Sequence, residues 1–267
     1  MKKPQFDPAW SDNWKMSYGY DIEEMFDQIR CRGYTYAYAR RMRDTLRTVQ
    51  SVAEPPATVL DVAAGAGNFS LQLAELGYRV TWNDLRADLV DYVRLKHEKG
   101  IIQYAPGNVF ELGFENAFDV VLITEIIEHV AHPDDFLGKI GRMVKPGGHV
   151  VMTTPNGGYV MNRLPKFSEC SDPSQFEAVQ FKPNSDGHIF LLHVDEIPVL
   201  AAKSGLKLER LRLGTNPLTN GHMKTEMILK VAPRRIVEGI EAFTQHLPGF
   251  LSRRINNSMT VLFSKPA

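Results

Sequence analysis

Short apolar runs alternate with helix-like patterns along most of the chain. Runs such as Asp119–Thr124 are almost entirely apolar, which is typical of strands buried on both faces of a parallel sheet. Between the runs, apolar residues recur with a helical period, and a glycine follows several of the predicted helices. The predicted strands are Thr58–Val62, Arg79–Asn83, Ile101–Ala105, Asp119–Thr124, His149–Thr154, Leu206–Leu213 and Met259–Ser264. This alternation predicts an α/β fold with a seven-stranded, mostly parallel sheet and helices on both faces.

Three segments depart from the alternation. Residues 1–20 are aromatic, polar and proline-containing and are expected to form a loose arm, followed by a helical pattern from Asp21 to about Val52. Residues 1–52 are therefore interpreted as an N-terminal arm and helix, and residues 53–267 as one domain. Within that domain, an insertion or lid is predicted at about 155–187 and a C-terminal helical segment at about 214–257.

Charge and cysteine content narrow the class of protein. Lys plus Arg and Asp plus Glu both number 31, so no global field attracts nucleic acid, and a nucleic-acid partner is not expected. The two cysteines, Cys31 and Cys170, are expected to be free thiols in a reducing cytoplasm. The N-terminus has no apolar run behind its basic start, and no stretch reaches the length of a membrane span. A cytoplasmic protein is predicted.

The stretch VLDVAAGAGNFS, residues 59–70, predicts a buried strand that runs directly into a glycine turn. Gly65 and Gly67 allow the backbone to turn tightly and to approach a ligand where a Cβ atom would clash. Asp84, at the end of the second strand, suits a ribose because a carboxylate accepts from both hydroxyls. Asp61 would be unfavourable beside a pyrophosphate but suits a sulfonium with an amino-acid tail. This favours S-adenosylmethionine over NAD.

Five segments in order resemble the motifs of class I S-adenosylmethionine-dependent methyltransferases, in particular the O-methyltransferases of ubiquinone biosynthesis. The segments are 59–67, TWNDL at 81–85, PGNVFEL at 106–112, FDVVLITEIIEHV at 118–130 and VKPGGHVVMTTPN at 144–156. Ala63 stands where the family commonly has glycine, and Asn108 stands where it commonly has aspartate. The resemblance covers about residues 50–213 and implies a Rossmann-like fold, S-adenosylmethionine as cofactor and transfer of its methyl group.

The resemblance also implies which residues contact the cofactor. Asp84 is expected on the ribose, Leu85 beside the adenine, and Asn108 as acceptor from the adenine amino group. The implied set is Asp61, Ala63, Gly65, Gly67, Asp84, Leu85, Asn108, Val109, Thr124 and Glu125.

Glu125, Glu128 and His129 lie at positions i, i+3 and i+4, and a regular helix would project all three from one face. His188 follows downstream. This pattern also resembles the RNA 3′-end 2′-O-methyltransferases, in which the constellation binds a divalent metal. That resemblance implies Glu125, Glu128, His129 and His188 as ligands of an ion such as Mn, Fe, Co or Zn. A purely structural role, with Glu128 and His129 as a helix-surface pair, is the other interpretation.

Methyl transfer to oxygen requires that the acceptor hydroxyl lose its proton. A histidine base removes the proton directly, whereas a metal ion lowers the pKa of the hydroxyl. His129 is predicted first as base or metal ligand and His188 second, with Glu128 beside them.

The acceptor is predicted to be a small hydroxylated metabolite, namely a sugar, a phenol or a quinone precursor. Aromatic side chains are expected to line its pocket: Trp10, Trp14, Tyr18, Tyr20, Tyr34, Tyr159, Phe167, Phe176 and Phe181. The resemblance to the methyltransferase family also implies that Arg40 or Arg43 pairs with the cofactor carboxylate. The basic amphipathic segment 234–254 is expected to pack on the sheet rather than to touch a membrane surface. The alternatives are a metal-dependent RNA 2′-O-methyltransferase and a non-catalytic protein that binds S-adenosylmethionine.

Overall fold

Seven strands form one sheet in the computed structural model, which describes residues 1–26, 33–180, 187–219 and 225–267. The strands are β1 (Thr58–Val62), β2 (Arg79–Trp82), β3 (Ile101–Tyr104), β4 (Phe118–Thr124), β5 (Val144–Pro155), β6 (Lys207–Gly214) and β7 (Ser258–Ser264). Their order is β3-β2-β1-β4-β5-β7-β6. β7 runs antiparallel to β5 and β6, whereas the other neighbours are parallel. The predicted seven-stranded, mostly parallel sheet is confirmed.

Helices cover both faces of the sheet. They are α1 (Asp12–Asp21), α2 (Gly33–Gln50), α3 (Asn68–Glu75), α4 (Leu89–Lys96), α5 (Pro133–Met143), α6 (Glu196–Lys203), α7 (Glu226–Val231), α8 (Arg234–Gln245) and α9 (Gly249–Ile255). Successive residues of β1 point to opposite faces: Val59 packs in a cluster with Met42 of α2, and Leu60 in a cluster with Phe136 of α5. The central strands are therefore buried on both sides, which explains their unbroken apolar runs.

The N-terminal segment is ordered by aromatic packing, so the expected loose arm is wrong. α1 begins after Ser11, whose side chain accepts from the backbone N–H of Trp14. Trp10 and Trp14 contact the ring of Tyr92 on α4 edge to face, and Trp14 Nε1 donates to the carbonyl of Asp88 over 2.9 Å. These aromatic side chains, interpreted as acceptor-pocket candidates, instead fasten the arm to the domain.

The helical pattern predicted from Asp21 to Val52 is divided in the structure. A single turn of π-helix, Ile22–Phe26, follows α1, and α2 begins at Gly33. Cys31 lies outside the described residues, and Cys170 is a free thiol.

The insertion contacts the C-terminal segment, since the backbone N–H of Val160 donates to the carbonyl of Arg254 over 2.9 Å. In the described part of 155–187 the regular structure is two short 3₁₀ helices, Phe167–Glu169 and Pro173–Phe176. Helices α7, α8 and α9 connect β6 to β7. α8 buries Val237 but leaves Phe243 68 % exposed, so only a narrow face of this helix packs against the rest of the domain. No described helix combines the length and apolar character needed to cross a membrane.

Candidate active site

The turn after β1 uses left-handed backbone at several positions. Ala63 has φ +49°, a conformation that costs a residue with a Cβ roughly 1–2 kcal/mol, which explains why related motifs prefer glycine there. Gly67 has φ +74°, and a Cβ atom on it would come within 2.8 Å of Val93 Cγ1. The second glycine of the turn therefore allows α3 to start close against α4.

Asp84 holds the turn from the end of β2. Its Oδ2 accepts from the backbone N–H of Gly65 over 2.8 Å, and the Arg86 side chain donates to both carboxylate oxygens over 3.0 and 3.1 Å. The carboxylate is almost fully buried, at 3 % exposure. Gly65 and Arg86 thus orient the carboxylate of Asp84, which is predicted to bind the ribose, before a cofactor binds. Arg86 is a site residue that the sequence analysis missed.

Asp61 is buried at the end of β1 beneath the turn. Its Oδ2 accepts from Ser70 Oγ over 2.6 Å, and its Oδ1 has no hydrogen-bond partner among the described residues. Burial raises the pKa of Asp61 to about 7, against the lowering effect of the Ser70 hydrogen bonds. A cationic ligand above the turn would favour the ionised form.

Asp61→Asn is expected to flatten the pH dependence of stability. A carboxyl with a raised folded-state pKa binds more protons in the folded chain than in the unfolded chain between pH about 4 and 7. The free energy of unfolding therefore falls as pH rises through this window, by at most about 1.4 kcal/mol per pH unit from this group. Urea unfolding from pH 5 to 8 measures the slope for the wild type, Asp61→Asn and the surface control Glu115→Gln. Equal slopes in all three proteins would contradict the assignment.

A cavity of about 560 Å³, the glycine-turn cavity, lies over this turn. It is lined by Met16, Ser17, Tyr20, Glu24, Tyr34, Tyr38, Arg41, Ala63, Ala64, Ala66, Asn68, Phe69, Arg86, Thr124 and Glu125. Of the predicted cofactor residues, Ala63, Thr124 and Glu125 are in this lining.

The remaining predicted cofactor residues take other positions around the turn. Leu85 is 53 % exposed and Val109 is buried. Asn108 accepts from the N–H of Phe110 and donates to Glu111 over 2.8 Å, which caps the 3₁₀ helix Val109–Glu111. None of these three is in the lining of the glycine-turn cavity within the described residues, and the same holds for Asp61, Gly65, Gly67 and Asp84.

A second cavity of about 370 Å³, the His188 cavity, adjoins the first. Its lining consists of Tyr34, Ala37, Arg41, Glu125, Pro155, Asn156, Tyr159, Met161, Asn162, Arg163, His188, Leu191, Thr215, Asn257 and Ser258. Tyr34, Arg41 and Glu125 line both cavities, so the two spaces meet at these three side chains. His129 lines neither cavity, as far as the described residues show.

Glu125 is placed at this junction by an unusual backbone. Its φ is +53°, and the 3₁₀ helix after it begins only at Ile127, so the expected regular helix carrying Glu125, Glu128 and His129 on one face is wrong. The backbone N–H of Glu125 donates to the carbonyl of Thr153 over 2.9 Å. Its Oε2 lies 3.1 Å from Arg41 Nη1. These two contacts hold a conformation that carries local strain.

Arg41, rather than Arg40 or Arg43, is the arginine that α2 presents to the glycine-turn cavity. Arg40 pairs with Asp44 instead, and Arg43 lies 3.6 Å from Glu238. The Arg41 guanidinium also lies 5.0 Å from the ring centre of Tyr38. A signal was present in the sequence, because Arg41 follows Tyr34 by two helical turns and shares its face.

Three of the four predicted metal ligands come together. Ligand atoms of Glu128, His129 and His188 all lie within 4.8 Å of one another, and Glu125 is outside this group. Glu128 Oε2 accepts from Thr154 Oγ1 over 3.0 Å, whereas its buried Oε1 finds no hydrogen-bond partner in the described part of the chain. Burial, and then the nearby charge of Glu125, raises the pKa of Glu128 well above its usual range. His129 Nδ1 lies 3.2 Å from the carbonyl oxygen of Gly187.

The other aromatic candidates divide between cavities and core. Tyr34 and Tyr159 line the His188 cavity, and Tyr20 lines the glycine-turn cavity. Phe167 and Phe176 pack on Phe190. Tyr18 packs with Trp10, and Phe181 lies outside the described residues.

Comparisons with known proteins identify the family of this chain. A family model described as a methyltransferase domain matches residues 34–211. A ubiquinone biosynthesis O-methyltransferase of Nitrosococcus oceani is 33% identical over 168 residues, 60% of this chain and 68% of that protein. One from Caulobacter vibrioides is 39% identical over 103 residues, 37% of this chain and 41% of that protein, so this second alignment spans less than half of the relative.

Solved structures support the same fold. An S-adenosylmethionine-dependent methyltransferase of Mesorhizobium loti superposes with a TM-score of 0.55 at 15% identity, covering 84% of this chain and 96% of that one. At this identity the likeness shows the fold alone. Together with the domain match over most of the sheet, these comparisons establish the family. The chain belongs to the methyltransferase domain family and is a class I S-adenosylmethionine-dependent methyltransferase that resembles the ubiquinone-biosynthesis O-methyltransferases.

Proposed function

We propose that this enzyme transfers the methyl group of S-adenosylmethionine to a hydroxyl oxygen of a small metabolite, namely a sugar, a phenol or a quinone precursor. The observation that carries the proposal is the junction of the two cavities at Tyr34, Arg41 and Glu125. A sulfonium held over the glycine turn and an acceptor held in the His188 cavity meet there. The names of the curated relatives, which are O-methyltransferases, support oxygen as the acceptor atom.

Methyl transfer mainly requires that the enzyme position the acceptor oxygen in line with the methyl carbon. The sulfonium carbon is already activated, so the acceptor oxygen attacks in line as the bond from sulfur to the methyl carbon breaks. Asp84 and the turn hold the nucleoside end, and the arginine–glutamate pair lines the place where the two reactants meet. α1 and α2 cover the site from above, since Ser17, Tyr20 and Arg41 line it. Exclusion of water protects the sulfonium from hydrolysis.

The size of the second cavity supports a small acceptor. About 370 Å³ lies within the usual range for small-molecule pockets, and the chain carries no net positive charge to bind a polyanion. Tyr159, Asn156 and Asn162 line it beside His188, which combines aromatic surface with amide groups. Such a mixture suits a ring that bears hydroxyl groups.

A metal-assisted reaction, as in RNA 2′-O-methylation, is the second candidate because Glu128, His129 and His188 lie together. The donor set fits a divalent ion, with a buried carboxylate oxygen that lacks a partner and two imidazoles. Such an ion, when bound, would lower the pKa of an acceptor hydroxyl.

Transfer of label from methyl-labelled S-adenosylmethionine into a cell extract tests the acceptor class. The extract is separated into lipid, aqueous and RNA fractions, and we expect label in the lipid or the aqueous fraction. Label confined to RNA would contradict the small-molecule proposal and support the second candidate. A catalytically dead control is supplied by Asp84→Ala, which lacks the predicted ribose ligand.

Chelation separates the two candidates further. Under the first proposal, EDTA leaves the labelling rate unchanged, and His129→Ala reduces it by less than about tenfold because His129 does not line the acceptor cavity. Under the second, both treatments abolish labelling, and added Mn²⁺ or Co²⁺ restores the EDTA-treated wild type. His97→Ala, at the end of α4, is the matched control.

A further inference from the structure

We propose that Tyr34 and Glu24 form the relay that takes the proton from the acceptor hydroxyl, a role that rests on the O-methyl transfer proposed above. The Tyr34 hydroxyl donates to Glu24 Oε1 over 2.9 Å. Tyr34 lines both cavities, and Glu24 lines the glycine-turn cavity. The pair therefore connects the place where the reactants meet with a carboxylate that can hold a proton.

The other two junction side chains are poorly suited to this task. Arg41 carries a guanidinium, which does not act as a base at neutral pH. Glu125 commits Oε2 to Arg41 at 3.1 Å, and its Oε1 has no accessible surface through which an acceptor could reach it, although no described residue bonds to it. Among the described residues that line both cavities, Tyr34 is the side chain whose hydroxyl donates to a carboxylate that can accept its proton.

The reaction balances with these groups alone. The acceptor oxygen forms a bond to the methyl carbon, and the electron pair of the carbon–sulfur bond goes to sulfur. The acceptor proton passes to Tyr34 Oη as the Tyr34 proton passes to Glu24 Oε1. One positive charge on the sulfonium and one negative charge on Glu24 disappear together, which leaves a methyl ether, a neutral thioether and a protonated carboxyl.

The local charges suit a relay near neutral pH. Burial raises the pKa of Glu24 to about 7. Arg41, the Tyr34 hydrogen bond and Lys96 act to lower it, and Asp21 acts to raise it. Burial raises the pKa of Tyr34 to about 12, so Tyr34 stays protonated and passes its proton on rather than ionising first. Above pH about 7, Glu24 is ready to accept.

Two acceptors of different acidity test the relay. At pH 8 the hydroxyl groups of catechol are protonated, so a base must remove a proton before methyl transfer. A hydroxyl of 4-nitrocatechol is already largely ionised at this pH. Tyr34→Phe and Glu24→Gln are expected to lower kcat with catechol by about 100-fold but with 4-nitrocatechol by less than about tenfold. Tyr104→Phe is the matched control, because the Tyr104 hydroxyl is buried without a hydrogen-bond partner and lies at the end of β3.

A pH profile and cofactor binding add readouts that a structural role would not produce. The wild-type kcat/KM with catechol should rise with pH through about 7, and this limb should be absent in Glu24→Gln. Affinity for S-adenosylhomocysteine, measured by calorimetry, should stay within threefold of wild type in both variants. If Glu24 served only to balance the sulfonium charge, Glu24→Gln would weaken S-adenosylmethionine binding and lower activity equally with both acceptors.

Each other outcome overturns a specific part of the argument. Full catechol activity in Tyr34→Phe, or an equal loss with both acceptors, would overturn the relay and leave the O-methyltransferase proposal standing. A wild-type enzyme that methylates neither acceptor, nor any hydroxyl compound in the extract, would overturn the proposed function and the relay with it.

Discussion

Asp84→Ala is expected to raise the Kd for S-adenosylhomocysteine by about 10³-fold. Two charge-assisted hydrogen bonds to the ribose hydroxyls, at about 2 kcal/mol each, account for roughly 4 kcal/mol of binding free energy. The variant also removes the acceptor for the Gly65 N–H and the two Arg86 contacts, so the turn loses its support. Calorimetric titration with S-adenosylhomocysteine measures the effect.

Asp84→Asn and Asp91→Asn show whether the loss of affinity comes from the Asp84 carboxylate itself. The amide of Asp84→Asn keeps the volume but replaces one accepting oxygen with a donor, so most of the affinity should still be lost. Asp91, on the outer face of α4, has a side chain that is 69% exposed and pairs with Arg94. Its conversion to Asn should leave the Kd within threefold of wild type. A Kd for Asp84→Ala within threefold of wild type would show that Asp84 does not contact the cofactor.

Lys96→Met is expected to lower the free energy of unfolding by about 3–5 kcal/mol, because it breaks a fully buried ion pair. Lys96 Nζ donates to Asp21 Oδ2 over 2.6 Å and to Asn68 Oδ1 over 2.7 Å, and neither charged side chain is exposed. Methionine fills the space of the lysine stem but leaves the carboxylate of Asp21 without its counter-charge. The hydroxyl of Tyr92 and the amide of Asn68 still donate to it.

This ion pair also bears on the active site. Asp21 ends α1, whose Met16, Ser17 and Tyr20 line the glycine-turn cavity, so loss of Lys96 should loosen that cover. We expect S-adenosylhomocysteine affinity to fall about tenfold in Lys96→Met, in addition to the stability loss. The exposed neighbour gives the control, since Lys99→Met should change neither quantity by more than about 0.5 kcal/mol.

A double variant tests whether the pair, rather than lysine packing, is responsible. Lys96→Met combined with Asp21→Asn removes both buried charges, and part of the lost stability should return. Urea unfolding of the wild type, the two single variants and the double variant completes the cycle. If the two losses simply add, the buried charges are not coupled and the assignment is wrong.

The sheet was predictable because each central strand can be recognised from its own residues. Thr58–Val62 was predicted with the observed bounds, and the strand predicted to begin at Asp119 begins at Phe118. An unbroken apolar run bounded by turn residues needs no knowledge of its neighbours. The loose arm was wrong for the opposite reason. Trp10 and Trp14 are held by Tyr92, 82 and 78 residues later in the chain, and no local pattern reports such a contact.

The site shows the same division. The glycine turn, Asp61 and Asp84 are local features of β1 and β2, and their positions follow from the parallel sheet. The three-residue junction does not follow from it. Glu125 has φ +53° and lies outside the 3₁₀ helix that follows it. The i, i+3, i+4 spacing, which assumes one regular helix, therefore does not place it on one face with Glu128 and His129. Its partner Arg41 lies on α2, 84 residues earlier.

By itself, the sequence determined the class of fold, the position of the glycine turn and the family. These depend on apolar periodicity and on short motifs, in which each residue acts through its immediate neighbours. Only the tertiary structure decided that α1 is fastened by a buried ion pair, that Arg41 and Glu125 close the junction, and that Tyr34 stands between the cavities with Glu24 behind it. Those contacts join segments distant in the chain, and their free energy arises from burial and charge pairing that exist only once the chain is folded.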